Sequence, residues 1–203
     1  GDNYPFRPID QGFEESFIHK GGGIGQPGDH IDNSYGGKIN GTDSSYFDPV
    51  LSKNGKDVQT IGYCTDIFTN EAIKFIDETA NEGKKPFFIY LAYNAPHFPL
   101  QVPDEYYGIY KNLKINPANY SVSENFHEMS ERDIEGAKKV YAMVTNIDDN
   151  VSKIIDKIEI TGISEKTILI FMTDNGPQQW RYNGGLRMKK GSVYEGGIRV
   201  PFF

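Results

Sequence analysis

The chain has 203 residues, 37% of them hydrophobic, 13% aromatic and 24% charged, with a formal net charge of −7. A single cysteine, Cys64, excludes an internal disulfide and a cysteine-built zinc cage, and no apolar run approaches the roughly 18 residues of a membrane span. An acidic chain without a dense Lys/Arg patch lacks the face that neutralises duplex phosphate, so nucleic acid is excluded as the expected partner.

Residues 1–61 are punctuated by Gly, Pro, Asp and Asn, most densely at Gly21-Gly22-Gly23-Ile24-Gly25-Gln26-Pro27-Gly28. They are expected to form loops with short strands at most. A loop-rich stretch of this length belongs to function or packs on a scaffold. Gly23 to Gly28 matches the letters G-x-G-x-x-G, but no strand precedes it and no helical period follows, so nucleotide binding is not expected.

Residues 62–82 place Ile67, Phe68, Ala72, Phe75, Ile76 and Ala80 on one helical face, with Asn81-Glu82-Gly83 as the stop. Residues 86–93 (Pro-Phe-Phe-Ile-Tyr-Leu-Ala-Tyr) are a continuous apolar run, the pattern of a strand buried on both faces of a parallel sheet. Residues 99–129 are expected to be irregular. Residues 130–160 give the strongest helix, its seam running through Ala137, Val140, Val144, Ile147, Val151, Ile154 and Ile158 and ending at Thr161-Gly162. Residues 167–173 are a second buried strand, and Asp174-Asn175-Gly176-Pro177 turns the chain into a Gly-rich loop over 178–199.

Helix, buried strand, helix, buried strand is the α/β pattern, a mostly parallel sheet sandwiched by helices. Ligands of such sheets bind beyond the carboxyl ends of the strands. That singles out two loops. In the first, Pro96 and Pro99 stiffen the backbone around His97, which can meet a substrate oxygen or simply bond to backbone. In the second, Asp174 and Asn175 offer two hard oxygen ligands for calcium or magnesium, or only good turn chemistry. Lys189 and Lys190 beside Gly191 can reach an anion, or form a solvated charge pair. Sequons at Asn40, Asn119 and Asn150 read as chance, and Cys64 as a small buried hydrophobe. The chain opens without Met and stops inside the apolar run Val200-Pro201-Phe202-Phe203, so both ends read as cuts in something longer.

Four stretches in order resemble the sulfatase family of the alkaline-phosphatase-like superfamily. They are Gly1 to Pro8 with Gln11-Gly12-Phe13, then Ala95 to Gln101, then Thr173 to Gly176, then Gly185 to Pro201. The resemblance implies one partial catalytic domain over 1–203, with a loop-rich segment 1–61 and an α/β core portion 62–203, the fold being incomplete. It implies that His97 binds a sulfate oxygen and the leaving oxygen, and helps protonate the departing alcohol. Lys190, which immediately precedes the Gly of Gly-x-x-x-Glu-Gly-Gly, would neutralise the sulfate. Asp174 and Asn175 would hold a calcium ion. The partner implied is a sulfated small molecule or sulfated glycan, and the place implied is the periplasm or the outside of a bacterium.

One departure stands out. The family's formylglycine nucleophile arises from a [CS]-x-[PA]-x-R motif, and none of the 203 residues fits it. Cys64 is followed by Thr-Asp-Ile-Phe, and the pair Asp148-Asp149 sits in a helix rather than at a strand end. The chain is therefore expected to be an internal fragment holding half of an active site and inactive alone. Substrate choice is expected in the variable loops 21–61 and 104–128. A phosphonate or phosphodiester hydrolase of the same superfamily, or a non-catalytic sulfoglycan-binding product, are the alternatives.

Overall fold

The periodic segments of the sequence set the architecture. The computed structural model of the chain describes residues 4–33, 46–82, 85–116 and 128–203. In chain order the regular elements are strands β1 (Phe17–Ile18), β2 (Val50–Lys53) and β3 (Lys56–Gln59), then helices α1 (Cys64–Glu82), α2 (Asp104–Tyr110), α3 (Glu131–Ile160) and α4 (Glu195–Ile198). Two units interleave along the chain. One comprises Gly1–Pro103 and Met143–Glu165, the other Asp104–Ala142 and Lys166–Phe203.

In the first unit, Asn54 and Gly55 both have positive φ (50° and 82°). They form the two-residue turn that joins antiparallel β2 and β3, with Lys53 opposite Lys56. β1 completes the sheet by pairing Phe17 with Lys53. Among the described residues this is the one sheet, and it is antiparallel in the order β1-β2-β3, where the sequence pattern predicts a mostly parallel one.

The apolar faces of α1 and α3 bury Ile76, Ile154 and Ile158 against Phe87, Ile89 and Leu91. Each fully buried Ile contributes about 1.5–3 kcal/mol. Residues 86–93 are extended but carry no ladder, and they alternate. Phe87, Ile89 and Leu91 pack inward, while Phe88 and Tyr90 are 72% and 75% exposed. The expectation of a strand buried on both faces is thus corrected, since α1 and α3 cover only one face. At 167–173, in the second unit, the same expectation is corrected without any alternation, since the successive Ile168, Leu169 and Ile170 are all exposed. There the contacts are an antiparallel bridge of Met172 to Phe202 and a pair of bonds between Phe171 and Phe203.

The helix ends follow local chemistry. Ser130 and Asp133 form a reciprocal cap on α3. Asp133 N–H donates to Ser130 Oγ (3.1 Å), and Ser130 N–H and Oγ–H donate to Asp133 Oδ2 (3.0 and 2.6 Å). Gly162, at φ 71°, closes the other end, with its N–H on Glu159 O and that of Ile163 on Ile158 O. Gly83, the stop expected for α1, lies outside the described residues. The seam of α3 is not wholly apolar, and Val144, assigned to it, is 48% exposed. Met143, Asn146 and Asn150 are fully buried instead. Both Asn side chains donate to Asp66 Oδ1 of α1, at 3.2 and 2.6 Å, which satisfies polar groups that would otherwise be costly there.

The second unit buries Ile115, Met129 and Ala137 against Ile134, Tyr141 and Trp180. Its helix α2 falls where the sequence reading expects irregular chain. Pro103 precedes it, and Asp104 and Glu105 in its first turn face the positive end of the helix dipole. None of its residues is buried, so no apolar period marks it.

Candidate active site

The first loop grows from the extended segment 86–93. His97 N–H donates to Asn94 O (3.0 Å) and Gln101 N–H to Pro99 O (2.9 Å), closing two successive turns. Both the Ala95-Pro96 and Phe98-Pro99 bonds are cis. Ala95 and Pro99 are buried while the His97 ring is exposed, so a pinned backbone presents a free imidazole. His97 Nδ1 lies 2.9 Å from Phe98 O. A carbonyl only accepts, so Nδ1 carries the proton and Nε2 is the nitrogen left for a ligand.

The Gly-rich stretch packs on this loop. Three of its amides are spent within the fold. Ile24 N–H donates to Asn94 Oδ1 (2.8 Å), Gly25 N–H to Asp29 Oδ2 (2.8 Å) and Gln26 N–H to Gly23 O (3.0 Å). None of these three is left to cradle a phosphate.

The second unit brings Asp174, Asn175 and Lys190 onto two backbone-linked loops. Gly176 N–H donates to Gly197 O (3.0 Å) and Lys190 N–H to Pro177 O (2.9 Å). Glycine is required at two positions here, one facing the other loop and one facing its own. A Cβ on Gly176 would stand 1.9 Å from Gly196 O, and one on Gly196 would stand 2.1 Å from Met188 O. Asn183 Nδ2 bonds Leu186 O and Met188 O, both at 3.0 Å, and Arg187 sits 3.9 Å over the Tyr194 ring, which keeps the 183–199 loop compact.

The two lysines differ. Lys189 Nζ donates to Gln178 O (2.8 Å) and lies 5.4 Å from the Trp180 ring centre. Lys190 Nζ has no ion pair or hydrogen bond among the described residues, which leaves its charge for an anion. Asp174 is exposed at the tip of the turn. Asn175 Nδ2 donates to Gly176 O (2.9 Å), and its Oδ1 makes no bond among the described residues. Two hard oxygens fit as part of a calcium site, which needs six to eight. Among the described residues no three His, Cys, Asp or Glu side chains gather to complete one. His97 belongs to the first unit and these residues to the second.

The remaining sequence candidates take structural places. Asp148 and Asp149 are exposed on α3, and Asn150 is fully buried in it. Asn40 and Asn119 lie outside the described residues, as does Gly1-Asp2-Asn3. Cys64 is buried, and that burial pushes its thiol up to about 12. The sequence reading missed Tyr46, Asn94 and Trp180, each of which braces a site loop. The signal for Tyr46 and Trp180 was an aromatic inside a polar stretch, and for Asn94 an amide at the end of an apolar run.

Comparison with known proteins matches the family model Sulfatase over residues 10–203. The uncharacterized sulfatase YdeN of Escherichia coli K12 is 33% identical over 161 residues, which is 78% of this chain and 25% of YdeN. Human N-acetylglucosamine-6-sulfatase is 27% identical over 177 residues, 78% of this chain and 31% of the human protein. The crystal structure of Ps i-CgsB in complex with k-i-k-neocarrahexaose superposes with a TM-score of 0.72 at 32% identity, covering all of this chain and 41% of that one. The chain thus spans between a quarter and two fifths of the length of these relatives. On the family match over residues 10–203 and the superposition on Ps i-CgsB, the chain belongs to the sulfatase family and has its alkaline-phosphatase-like fold.

Proposed function

We propose that this chain serves the hydrolysis of sulfate esters, with a sulfated glycan as the substrate class. The observation that carries the reading is the junction of the Asp174-Asn175 turn with the Lys190 loop, two cation-oriented and anion-oriented groups held together by backbone bonds. Breaking a sulfate ester builds negative charge on the leaving oxygen and on the sulfate oxygens. Lys190, lacking an internal partner among the described residues, supplies a point charge to the sulfate. His97, with Nδ1–H on Phe98 O, can donate a proton from Nε2 to the departing alcohol when the ring is protonated. Asp174 and Asn175 would hold calcium, which when bound supplies Lewis-acid stabilisation of the sulfate oxygens. The glycan class draws support from relatives named for N-acetylglucosamine 6-sulfate and from the neighbour solved with k-i-k-neocarrahexaose. Export to the periplasm or the outside of a bacterium belongs to the same proposal, since a charged polymer does not cross a membrane unaided.

Turnover of a sulfated oligosaccharide by the natural gene product carrying this sequence tests the reading. His97→Ala and Lys190→Ala are each expected to lower kcat/KM by about a hundredfold. Wild-type turnover in both variants would overturn it. The 203-residue chain alone, which has no [CS]-x-[PA]-x-R sequence, is expected to cleave an aryl sulfate no faster than its His97→Ala variant.

A further inference from the structure

We infer that Tyr46 is a positioning residue for His97, acting through its hydroxyl to fix the direction and tautomer of the imidazole. The inference rests on the catalytic reading of His97 above. Tyr46 is fully buried. Its hydroxyl accepts a bond from Asn94 Nδ2 and donates toward His97 O at 2.9 Å and Phe98 O at 3.3 Å. Its own N–H donates to Gln101 Oε1 at 2.8 Å. One residue therefore grips the loop before, at and after His97.

The hydroxyl matters because of what shares its acceptors. Phe98 O receives the Nδ1 proton of His97, the Gln26 Nε2 proton at 3.1 Å and part of the Tyr46 bond. A carbonyl held from that side gives the imidazole one place to rest, which keeps Nδ1 protonated and Nε2 outward. Asn94 is itself held by Ile24 N–H. Gly23 allows this, since a Cβ there would stand 2.8 Å from Asn94 Oδ1. The G-x-G-x-x-G letters thus become a backbone clamp on Asn94. Burial pushes the Tyr46 phenol well above its usual range, so it remains a donor at any working pH. A phenyl ring would fill the same space; only the hydroxyl performs the bonding.

The test is Tyr46→Phe in the 203-residue chain, read by imidazole ¹⁵N shifts of His97 assigned with His97→Ala. The wild type should show one tautomer, protonated at Nδ1. Tyr46→Phe should lose that pattern, both nitrogens moving toward averaged values. In the natural gene product the same variant should lower kcat about tenfold with KM unchanged. Should Tyr46→Phe fail to fold, 3-fluorotyrosine placed at position 46 alone keeps the shape and strengthens the donor, and it should shift the His97 signals. A folded variant whose ring signals and kcat match the wild type overturns the inference, as does a fluorotyrosine that leaves them unmoved. The two readings fail separately. Lost tautomer preference together with an active His97→Ala would sink the catalytic role alone. An inactive His97→Ala together with an unmoved ring in Tyr46→Phe would sink the positioning role alone.

Discussion

Replacing Gly176 by alanine should separate the metal-pair turn from the Lys190 loop. The added Cβ would stand 1.9 Å from Gly196 O and 2.9 Å from the carbon of that carbonyl. A carbon and a carbonyl oxygen in ordinary contact lie about 3.3 Å apart, so the two backbones must part by roughly 1.4 Å. The obstacle is backbone on both sides, and no flexible side chain can move out of the way. The bond from Gly176 N–H to Gly197 O, now 3.0 Å, cannot survive that displacement, and the neighbouring bond from Lys190 N–H to Pro177 O, now 2.9 Å, should go with it. Two lost bonds cost about 1 kcal/mol each. Residual overpacking adds about 1–3 kcal/mol, for a total of roughly 3–5 kcal/mol. Urea unfolding of the chain reads the loss, and amide hydrogen exchange at position 176 and at Lys190 shows where it falls. A Gly176→Ala variant with an unchanged midpoint and unchanged protection at both amides would refute the close-approach argument.

Ser130→Ala should cost about 1 kcal/mol at neutral pH by removing the α3 cap. Burial alone would push Asp133 up, but bonds from Ser130, the Trp180 N–H and the charge of Lys189 outweigh it and hold the carboxyl below its usual value. Its stabilising share is complete above the unfolded value near 3.8 and is lost as pH falls through the lower folded value, so the variant's deficit should shrink in unfolding curves taken at those acid pH values. Cys64 should resist a disulfide reagent in the native chain at pH 8 and react after denaturation, because its thiol is buried and pushed up to about 12; prompt native labelling would contradict this. Lys189→Ala should lower stability by about 1 kcal/mol through its lost bond to Gln178 O, whereas Lys190→Ala should leave the urea midpoint alone; the reverse order would exchange their roles. Calcium should not survive dialysis of the 203-residue chain against a chelator, since Asp174 and Asn175 supply two ligands; a stoichiometric ion after dialysis would show that the chain completes the site by itself.

What could be read from the sequence was what repeats. The seam of α3 and the face of α1 announce themselves by their period because each must bury a stripe. Even there the period misleads at one turn. Val144 keeps the spacing but points to solvent, and the buried stripe passes through Asn146 and Asn150, whose amides are held by Asp66. Polar residues with buried partners are invisible to a hydrophobicity pattern. α2 escaped for the opposite reason, since it buries nothing and rests on Pro103 and an acidic first turn. The Asn54-Gly55 turn was there to be read, yet it was lost among the many other glycines of residues 1–61. His97, Asp174 and Asn175 stood out because each follows an apolar run, whereas Lys190 stood out only by its place before Gly191 in the family's pattern. The resemblance to the family's pattern picks Lys190 over Lys189, and the engagement of Lys189 with Gln178 and Trp180 gives that choice a physical reason.

The loop-rich first third has a further consequence for selectivity. Residues 21–61 were expected to carry substrate choice, as loops free to vary. Yet Ile24, Gln26 and Tyr46 all bond to the His97 loop, and Gly23 must stay small for Asn94 to seat. On the reading proposed for His97, a substitution at Gly23, Gln26 or Tyr46 disturbs the contacts that hold the loop aiming the imidazole. On the same reading, substrate preference is free to vary where the described part of the segment makes no bond to 94–101, such as the side chains of β3, all four of which are exposed. Variants of that strand that alter substrate preference at constant kcat, set beside variants of Gly23 or Gln26 that lower kcat for every substrate, would separate the two roles within one stretch of sequence.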